Sequence, residues 1–146
     1  MYPSHQSKSL RYAAAMLAGA LTLPTFAQDD VHPAELSRDD LSGSFLEGPD
    51  ALVVLEDGSE VLDVTSLMSS DGRFASGMYR AGPSRSEINE PYGVDEFMYF
   101  LEGGVTLTSS DGTVTEIEAG EAVTIPKEWT GVWETDGYMK IWVIYS

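Results

Sequence analysis

The β-type pattern of this chain is clearest in the segment Gly104-Val-Thr-Leu-Thr-Ser-Ser-Asp-Gly-Thr-Val-Thr-Glu-Ile-Glu118. Apolar and polar residues alternate on both sides of Asp111-Gly112, and an Asp-Gly pair suits a tight hairpin turn because the turn needs positive φ. The same pair recurs at 57–58 and 71–72, and alternation continues through 122–125 and 138–145. No stretch after residue 51 keeps a helical period, so we predict roughly eight to ten short strands in an antiparallel sandwich or barrel.

The first 27 residues have the pattern of a secretory signal peptide. Lys8 and Arg11 precede an apolar run over 12–23, and the small residues Thr25 and Ala27 stand at positions −3 and −1 of a cleavage site. The run is shorter than the about 20 residues that span a bilayer, and the alternative is an N-terminal buried helix. We predict cleavage after Ala27, a periplasmic or secreted protein, and no membrane association after cleavage.

Charge and composition exclude several functions. The chain has 24 acidic and 8 basic residues, a net charge of −16, two histidines and no cysteine. Disulfides, thiolate catalysis and cysteine-ligated zinc are therefore excluded, and a nucleic-acid partner is disfavoured because the chain lacks a basic surface. Cleavage at Ala27 would leave only His32. We predict an acidic N-terminal arm or linker over 28–50, with one or two helical turns at 34–41, and one β-barrel domain over 51–146.

Four residues in the β region carry a resemblance to a known family. Glu96 and Gly103 have the spacing of the end of the first cupin motif, and Gly120 and Pro126 have the spacing of the start of the second. Four segments are similar to the small single-domain cupins related to ureidoglycine aminohydrolase and to the ethanolamine-utilisation cupin: 76–79, 92–97, 101–103 and 131–134. The resemblance spans about 74 to 145 and implies an all-β jelly-roll cupin, an antiparallel double-sheet barrel, here with a short irregular N-terminal arm.

The metal ligands of the cupin motifs are mostly missing. The positions of the two first-motif histidines are Glu90 and Tyr92, or Asn89 and Pro91 with the longer spacing, and the position of the second-motif histidine is Gly131. Of the four ligands that the resemblance implies, only Glu96 is present. We therefore expect no metal and no other cofactor, since transition-metal sites of this kind need nitrogen donors. The alternative is a weak, oxygen-ligated divalent cation at Glu90 and Glu96.

The period of two predicts which side chains share the inner face of the barrel. Trp129, Gly131 and Trp133 fall on one face, with Gly131 leaving space between two aromatic walls. Glu96, Met98 and Phe100 share the face of the implied ligand glutamate. We predict an aromatic-lined pocket for a small amine, sugar or small acid, with these ligand-binding residues: Glu90, Met98, Phe100, Trp129, Trp133 and Arg85. The alternative is simple core filling, with Glu96 protonated or paired to Arg80 or Arg85.

The amino-acid sequence leaves three functions open. The first is an exported, metal-free cupin that binds a small organic ligand in the barrel. The second is a lyase, hydrolase or isomerase in which Glu96 is the general acid or base and Tyr92 assists it, although we expect no enzyme. The third is a non-catalytic interaction domain. The resemblance also implies a homodimer as one alternative to a monomer.

Overall fold

The computed structural model describes residues 31–146 and contains, within this range, nine strands and two short helical segments. The helix α1 is Arg38–Leu41, a 3-10 helix follows at Ser44–Leu46, and the strands are β1 Leu52–Val54, β2 Glu60–Met68, β3 Phe74–Ala81, β4 Ser84–Ile88, β5 Asp95–Ser109, β6 Val114–Glu118, β7 Ala122–Ile125, β8 Gly131–Thr135 and β9 Tyr138–Tyr145. The predicted all-β jelly-roll class is confirmed.

All strand pairs are antiparallel and form one curled sheet. The strand order is β1-β2-β3-β9-β5-β8-β4, and β6 and β7 also pair with β5. The long strand β5 connects two layers, because its first half pairs with β9 and β7 and its second half pairs with β8 and β6. The hairpin predicted over 104–118 is confirmed, with Gly104 opposite Glu118 and Thr108 opposite Val114.

The inner face of the curled sheet carries the main core. Along β5 the buried residues Glu96, Met98 and Phe100 alternate with exposed Phe97 and Tyr99, as the pleat of a half-buried strand requires. The core consists of Ala75, Ile88, Tyr92, Val94, Met98, Phe100, Val105, Leu107, Ile117, Ile125, Trp133, Tyr138, Trp142 and Ile144. The inner face is thus apolar and aromatic, which sets the surroundings of any charge placed there.

Residues 36–46 cover part of the outer face. Ser37 caps α1 through a reciprocal capping box with Asp40, which satisfies backbone donors at the start of the helix. Leu46 is buried against Met78 and Met139, which point outward from β3 and β9. The helical turn predicted within 34–41 is confirmed as α1.

Gly77 is a position where the fold requires a residue without a side chain. It lies on β3 opposite Trp142 of β9, and a Cβ there would lie 2.2 Å from the carbonyl oxygen of Val64 and 2.6 Å from Cζ2 of Trp142. Gly77→Ala is expected to destabilise the protein by about 1–3 kcal/mol, because the backbone of β2 cannot move aside freely. Urea unfolding measures the difference in the free energy of unfolding between the variant and the wild type. Gly82→Ala is the control, since a Cβ at Gly82 has no heavy atom within 4 Å, and equal losses in both variants would contradict the steric explanation.

The predicted signal peptide over 1–27 lies outside the described residues. Within residues 31–146, neither helical segment is long and apolar enough to cross a membrane.

Candidate functional site

A lysine lies on the inner face of β9, among residues that are otherwise apolar. The alternation of this strand places Tyr138, Lys140 and Trp142 inward, and all three are buried. The side chain of Lys140 is only 7% exposed. Among the described residues it is the only buried basic side chain. Burial of a charged group is costly unless it is paired, so its partners define the site.

Glu96 is the charged partner of Lys140. Lys140 Nζ donates to Glu96 Oε1 at 2.7 Å, and Nζ also contacts Met98 Sδ at 3.0 Å. The other carboxylate oxygen, Oε2, accepts a short hydrogen bond from the hydroxyl group of Tyr92. Both oxygens of the buried Glu96 are therefore engaged, one by an ammonium group and one by a phenol. Such a fully paired arrangement is what keeps a buried ion pair tolerable.

Three aromatic rings surround the Lys140 ammonium group. Nζ lies 5.3 Å from the ring centroid of Trp133, 5.5 Å from that of Tyr79 and 5.7 Å from that of Tyr138. These distances are within the range of cation–π attraction. Tyr138 stacks on Tyr79 and tilts against Trp133, with centroids 5.9 Å apart in both pairs. We call Lys140, Glu96, Tyr92 and these three rings the Lys140 cluster.

A second carboxylate, Asp63 of β2, faces the same interior. Asp63 Oδ1 accepts a hydrogen bond from Trp142 Nε1 at 3.2 Å. Burial raises the pKa of Asp63 from 3.8 to about 7, while the Lys140 charge and the Trp142 hydrogen bond oppose the rise and the Glu96 charge adds to it. At neutral pH, Asp63 is thus divided between its neutral and charged forms, and the interior charge changes with pH.

The phenols of Tyr92 and Tyr138 stay protonated. Burial raises the pKa of Tyr92 well above 10.0, and the charge of the adjacent Glu96 raises it further. Burial likewise raises the pKa of Tyr138, with smaller contributions from Tyr79 and Glu96. Tyr92 therefore acts as a hydrogen-bond donor to Glu96 and not as a second anion.

Most of the predicted site residues lie in or beside the Lys140 cluster. Glu96, Tyr92 and Trp133 belong to it, and Met98 contacts the Lys140 ammonium group. Phe100 packs edge-on against Tyr138 with centroids 5.4 Å apart, and Trp129 packs edge-on against Tyr92 at 6.3 Å. One connected set of side chains thus contains six of the eight predicted residues.

Glu90 and Arg85 lie apart from this set. Glu90 is exposed in the loop before β5. Arg85 is exposed on β4, where it pairs with Glu87 at 2.7 Å and with Glu134 at 3.3 Å. The partner of Glu96 is Lys140, and neither Arg80 nor Arg85 is paired with it: Arg80 instead pairs with Glu102 at 3.2 Å.

The space expected above Gly131 is filled. A Cβ at Gly131 would lie 2.7 Å from Cζ2 of Trp129 and 2.2 Å from the carbonyl oxygen of Thr108. The Trp129 ring is held there by its Nε1, which donates to Ser109 Oγ at 3.0 Å. Gly131 therefore accommodates the tryptophan ring, and it does not leave an open floor between two aromatic walls.

Sequence reasoning missed Lys140 and Asp63. Both stand at inward positions of alternating strands, Lys140 between Tyr138 and Trp142, and Asp63 after the buried Val61. The available signal was a charged residue at a position where the alternation of the strand predicts a buried side chain. It points to a partner of opposite charge, and here Lys140 of β9 pairs with Glu96 of the neighbouring strand β5.

The donor set around Glu96 does not fit the metal that the cupin motifs imply. Among residues 31–146, no group of three or more histidine, cysteine, aspartate or glutamate side chains is arranged to hold a metal ion. Tyr92 donates to Glu96, Gly131 has no donor, and a protonated lysine has no lone pair to offer a metal. A transition metal would lack the imidazole nitrogens that it prefers.

An open groove lies at the end of the barrel next to Gly137. Its volume is about 1040 Å³, and four carboxylates contribute to its wall: Glu116, Glu118, Glu134 and Asp136. None of the predicted ligand-binding residues lines it. The groove is acidic like the rest of the chain, and it is separate from the contacts of the Lys140 cluster.

The topology and the position of Glu96 on the first-motif strand define a protein of the cupin superfamily. The family profile described as the EutQ-like cupin domain matches residues 68–140, and the chain belongs to this family. Comparison with curated protein sequences finds no match.

Two solved structures illustrate the shared fold. The EutQ protein of Clostridium difficile aligns with a TM-score of 0.50 and 22% identity, over 62% of this chain and 71% of that chain. A protein of unknown function from Pseudomonas syringae pv. tomato aligns with a TM-score of 0.53 and 17% identity, over 66% of this chain and 40% of that chain. At these identities the likeness concerns the fold alone.

Proposed function

We propose that this chain is an exported, metal-free cupin that binds a small organic ligand at the Lys140 cluster inside the barrel. The observation that supports the proposal is the buried ammonium group of Lys140, held 2.7 Å from Glu96 and surrounded by three aromatic rings. Ligand pockets are lined mostly by apolar and aromatic side chains with a few convergent polar groups, and the Lys140 cluster has this composition. Export rests on the signal pattern of residues 1–27.

The charge of Lys140 affects which ligand the cluster favours. The rings of Tyr79, Trp133 and Tyr138 already lie within 5.7 Å of an internal cation. An amine ligand would repel that cation and compete with it for the same rings, so this geometry disfavours amines among the three predicted classes. A small acid can accept a charge-assisted hydrogen bond from Nζ in place of the weak Met98 sulfur acceptor. A sugar can stack on Trp133.

A thermal-shift screen tests the proposal, because a ligand that binds only the native state raises its apparent stability. We expect small acids or sugars to raise the Tm of the mature protein and amines to leave it unchanged. Trp133→Ala should weaken binding about tenfold or more, since it removes a wall of the site. The control Phe97→Ala removes an exposed aromatic side chain from the opposite face of β5, and it should leave binding unchanged. Binding that is unchanged in Trp133→Ala would contradict the proposed site.

The hydrogen bond from Tyr92 to Glu96 favours a second candidate function. A carboxylate held between a phenol and an ammonium group has the parts for proton transfer, so a lyase, hydrolase or isomerase is the alternative. If a ligand found in the screen is also turned over, Glu96→Gln should abolish that turnover while the ligand still binds. Unchanged turnover in Glu96→Gln would remove this alternative.

A further inference from the structure

We infer that Lys140 is a built-in cation that stands in the place of the metal ion at this cupin site. The inference rests on the metal-free part of the proposed function and does not depend on whether an organic ligand binds. Lys140 Nζ lies 2.7 Å from Oε1 of Glu96, which is the one residue that matches the ligands of the cupin motifs. The positive charge of the site is therefore part of the chain itself.

Lys140 opposes the binding of a metal ion at Glu96. A carboxylate has about four lone-pair positions, so the hydrogen bonds from Lys140 and Tyr92 alone do not fill it. The ammonium group opposes a second cation through its charge, because it lies 2.7 Å from Oε1 in an interior that screens charges weakly. A metal ion bound to Glu96 would either face this repulsion or displace Lys140, and displacing Lys140 would leave a buried ammonium group without its carboxylate.

The charges around Lys140 are those of a cation site. Glu96 on β5 and Asp63 on β2 are the buried acidic side chains of the described residues, and both act electrostatically on the barrel interior that holds Lys140. Carboxylate oxygens are also the ligands that hard divalent cations prefer. If the lysine charge is removed, these two carboxylates should therefore accept a cation from solution.

The position of the histidine replacements agrees with this exchange. The motif positions of the imidazoles hold Glu90, which is exposed in the loop before β5, Tyr92, which donates to Glu96, and Gly131, whose space is filled by Trp129. None of the three supplies a nitrogen donor, and neither Tyr92 nor Gly131 can coordinate a metal in its present contacts. The absence of nitrogen donors and the presence of an internal ammonium group thus both disfavour a metal ion at this site.

Divalent-ion binding to charge-neutral variants tests the inference. The Tm and the calorimetric binding of MgCl₂, MnCl₂ and CaCl₂ are measured for the wild type, Lys140→Met and Lys140→Gln. Lys140→Gln is included because the new amide can still donate to Glu96, which keeps the variant folded if Lys140→Met does not fold. Lys127→Met is the matched control, since Lys127 is exposed and lies 4.0 Å from Glu128. This control variant accounts for ion binding by the acidic surface.

We expect EDTA to leave the wild-type Tm unchanged, and each ion to affect the wild type no more than Lys127→Met. At least one ion should raise the Tm of the Lys140 variants by several degrees and bind them about tenfold or more tightly than the wild type. This gain should disappear when Glu96→Gln is added. A gain that is absent from the Lys140 variants would overturn the inference and leave the proposed ligand binding intact. One tightly bound ion per wild-type chain, lost in Glu96→Gln, would overturn both the inference and the metal-free proposal.

Discussion

Lys140→Met is expected to destabilise the protein by about 3–5 kcal/mol, because it leaves the Glu96 carboxylate buried without its countercharge. Glu96 is 4% exposed, so water cannot replace the lost ammonium group. Glu96→Gln should lower the stability by a similar amount, because it leaves the ammonium group of Lys140 buried without its carboxylate. Each value is a large share of the about 5–15 kcal/mol that typically separates folded and unfolded states.

The double variant Lys140→Met/Glu96→Gln is expected to recover most of this loss and to unfold within about 1 kcal/mol of the wild type. Methionine resembles lysine in length and can pack between Tyr79, Trp133 and Tyr138. The glutamine side chain introduced by Glu96→Gln can still accept the hydrogen bond from Tyr92. With neither charge present, the desolvation cost of the buried pair disappears together with its attraction, and the double-mutant cycle measures the coupling directly.

Urea unfolding at constant pH and salt gives the four free energies of this cycle. Lys127→Met serves as the control, because an exposed pair contributes little, and it should change stability by less than about 0.5 kcal/mol. If the losses of the two single variants simply add in the double variant, Lys140 and Glu96 are not coupled. The buried ion pair would then not be the element that stabilises the barrel interior.

The strands and their antiparallel arrangement were predictable from local pattern, and the jelly-roll class was implied by the family resemblance. The Asp-Gly pairs at 57–58, 71–72 and 111–112 lie in turns whose glycines have positive φ, and each alternating run becomes a strand. A period of two also assigns each side chain to a face, so Met98, Phe100 and Trp133 were placed inward correctly. These features depend on neighbours a few residues apart, which the sequence displays directly.

The contacts between distant strands were not predictable in the same way. Glu96 and Lys140 are 44 residues apart, and their pairing depends on β5 and β9 lying side by side with a bulge after Phe100. The filling of the space above Gly131 depends on a rotamer of Trp129. The packing of Leu46 on Met78 and Met139 depends on an outer face that local alternation does not describe. The family resemblance directed attention to Glu96 but not to the lysine that pairs with it.

Asp63→Asn should make the protein more stable than the wild type at pH 8, by about 2–4 kcal/mol, and equal to it at pH 4. The folded-state pKa of Asp63 is raised from 3.8 to about 7. The folded protein therefore keeps this proton between pH 4 and 7, where the unfolded chain has lost it. The stabilisation contributed by protonated Asp63 is complete below about pH 4. It falls as the pH rises from about 4 to 7, and it is lost above about pH 7.

The Asp63→Asn substitution separates the charge of Asp63 from its hydrogen bond. The new amide stays neutral at every pH and its Oδ1 can still accept from Trp142 Nε1, so only the ionisation is removed. Unfolding curves at several pH values from 4 to 8 measure the difference, and the exposed Asp136→Asn controls for the general loss of one negative charge from a chain of net charge −16. A constant difference between Asp63→Asn and the wild type across this range would show that Asp63 does not titrate there. A rising difference would establish that the charge of the barrel interior, set by Asp63, Glu96 and Lys140, changes within the physiological range of pH.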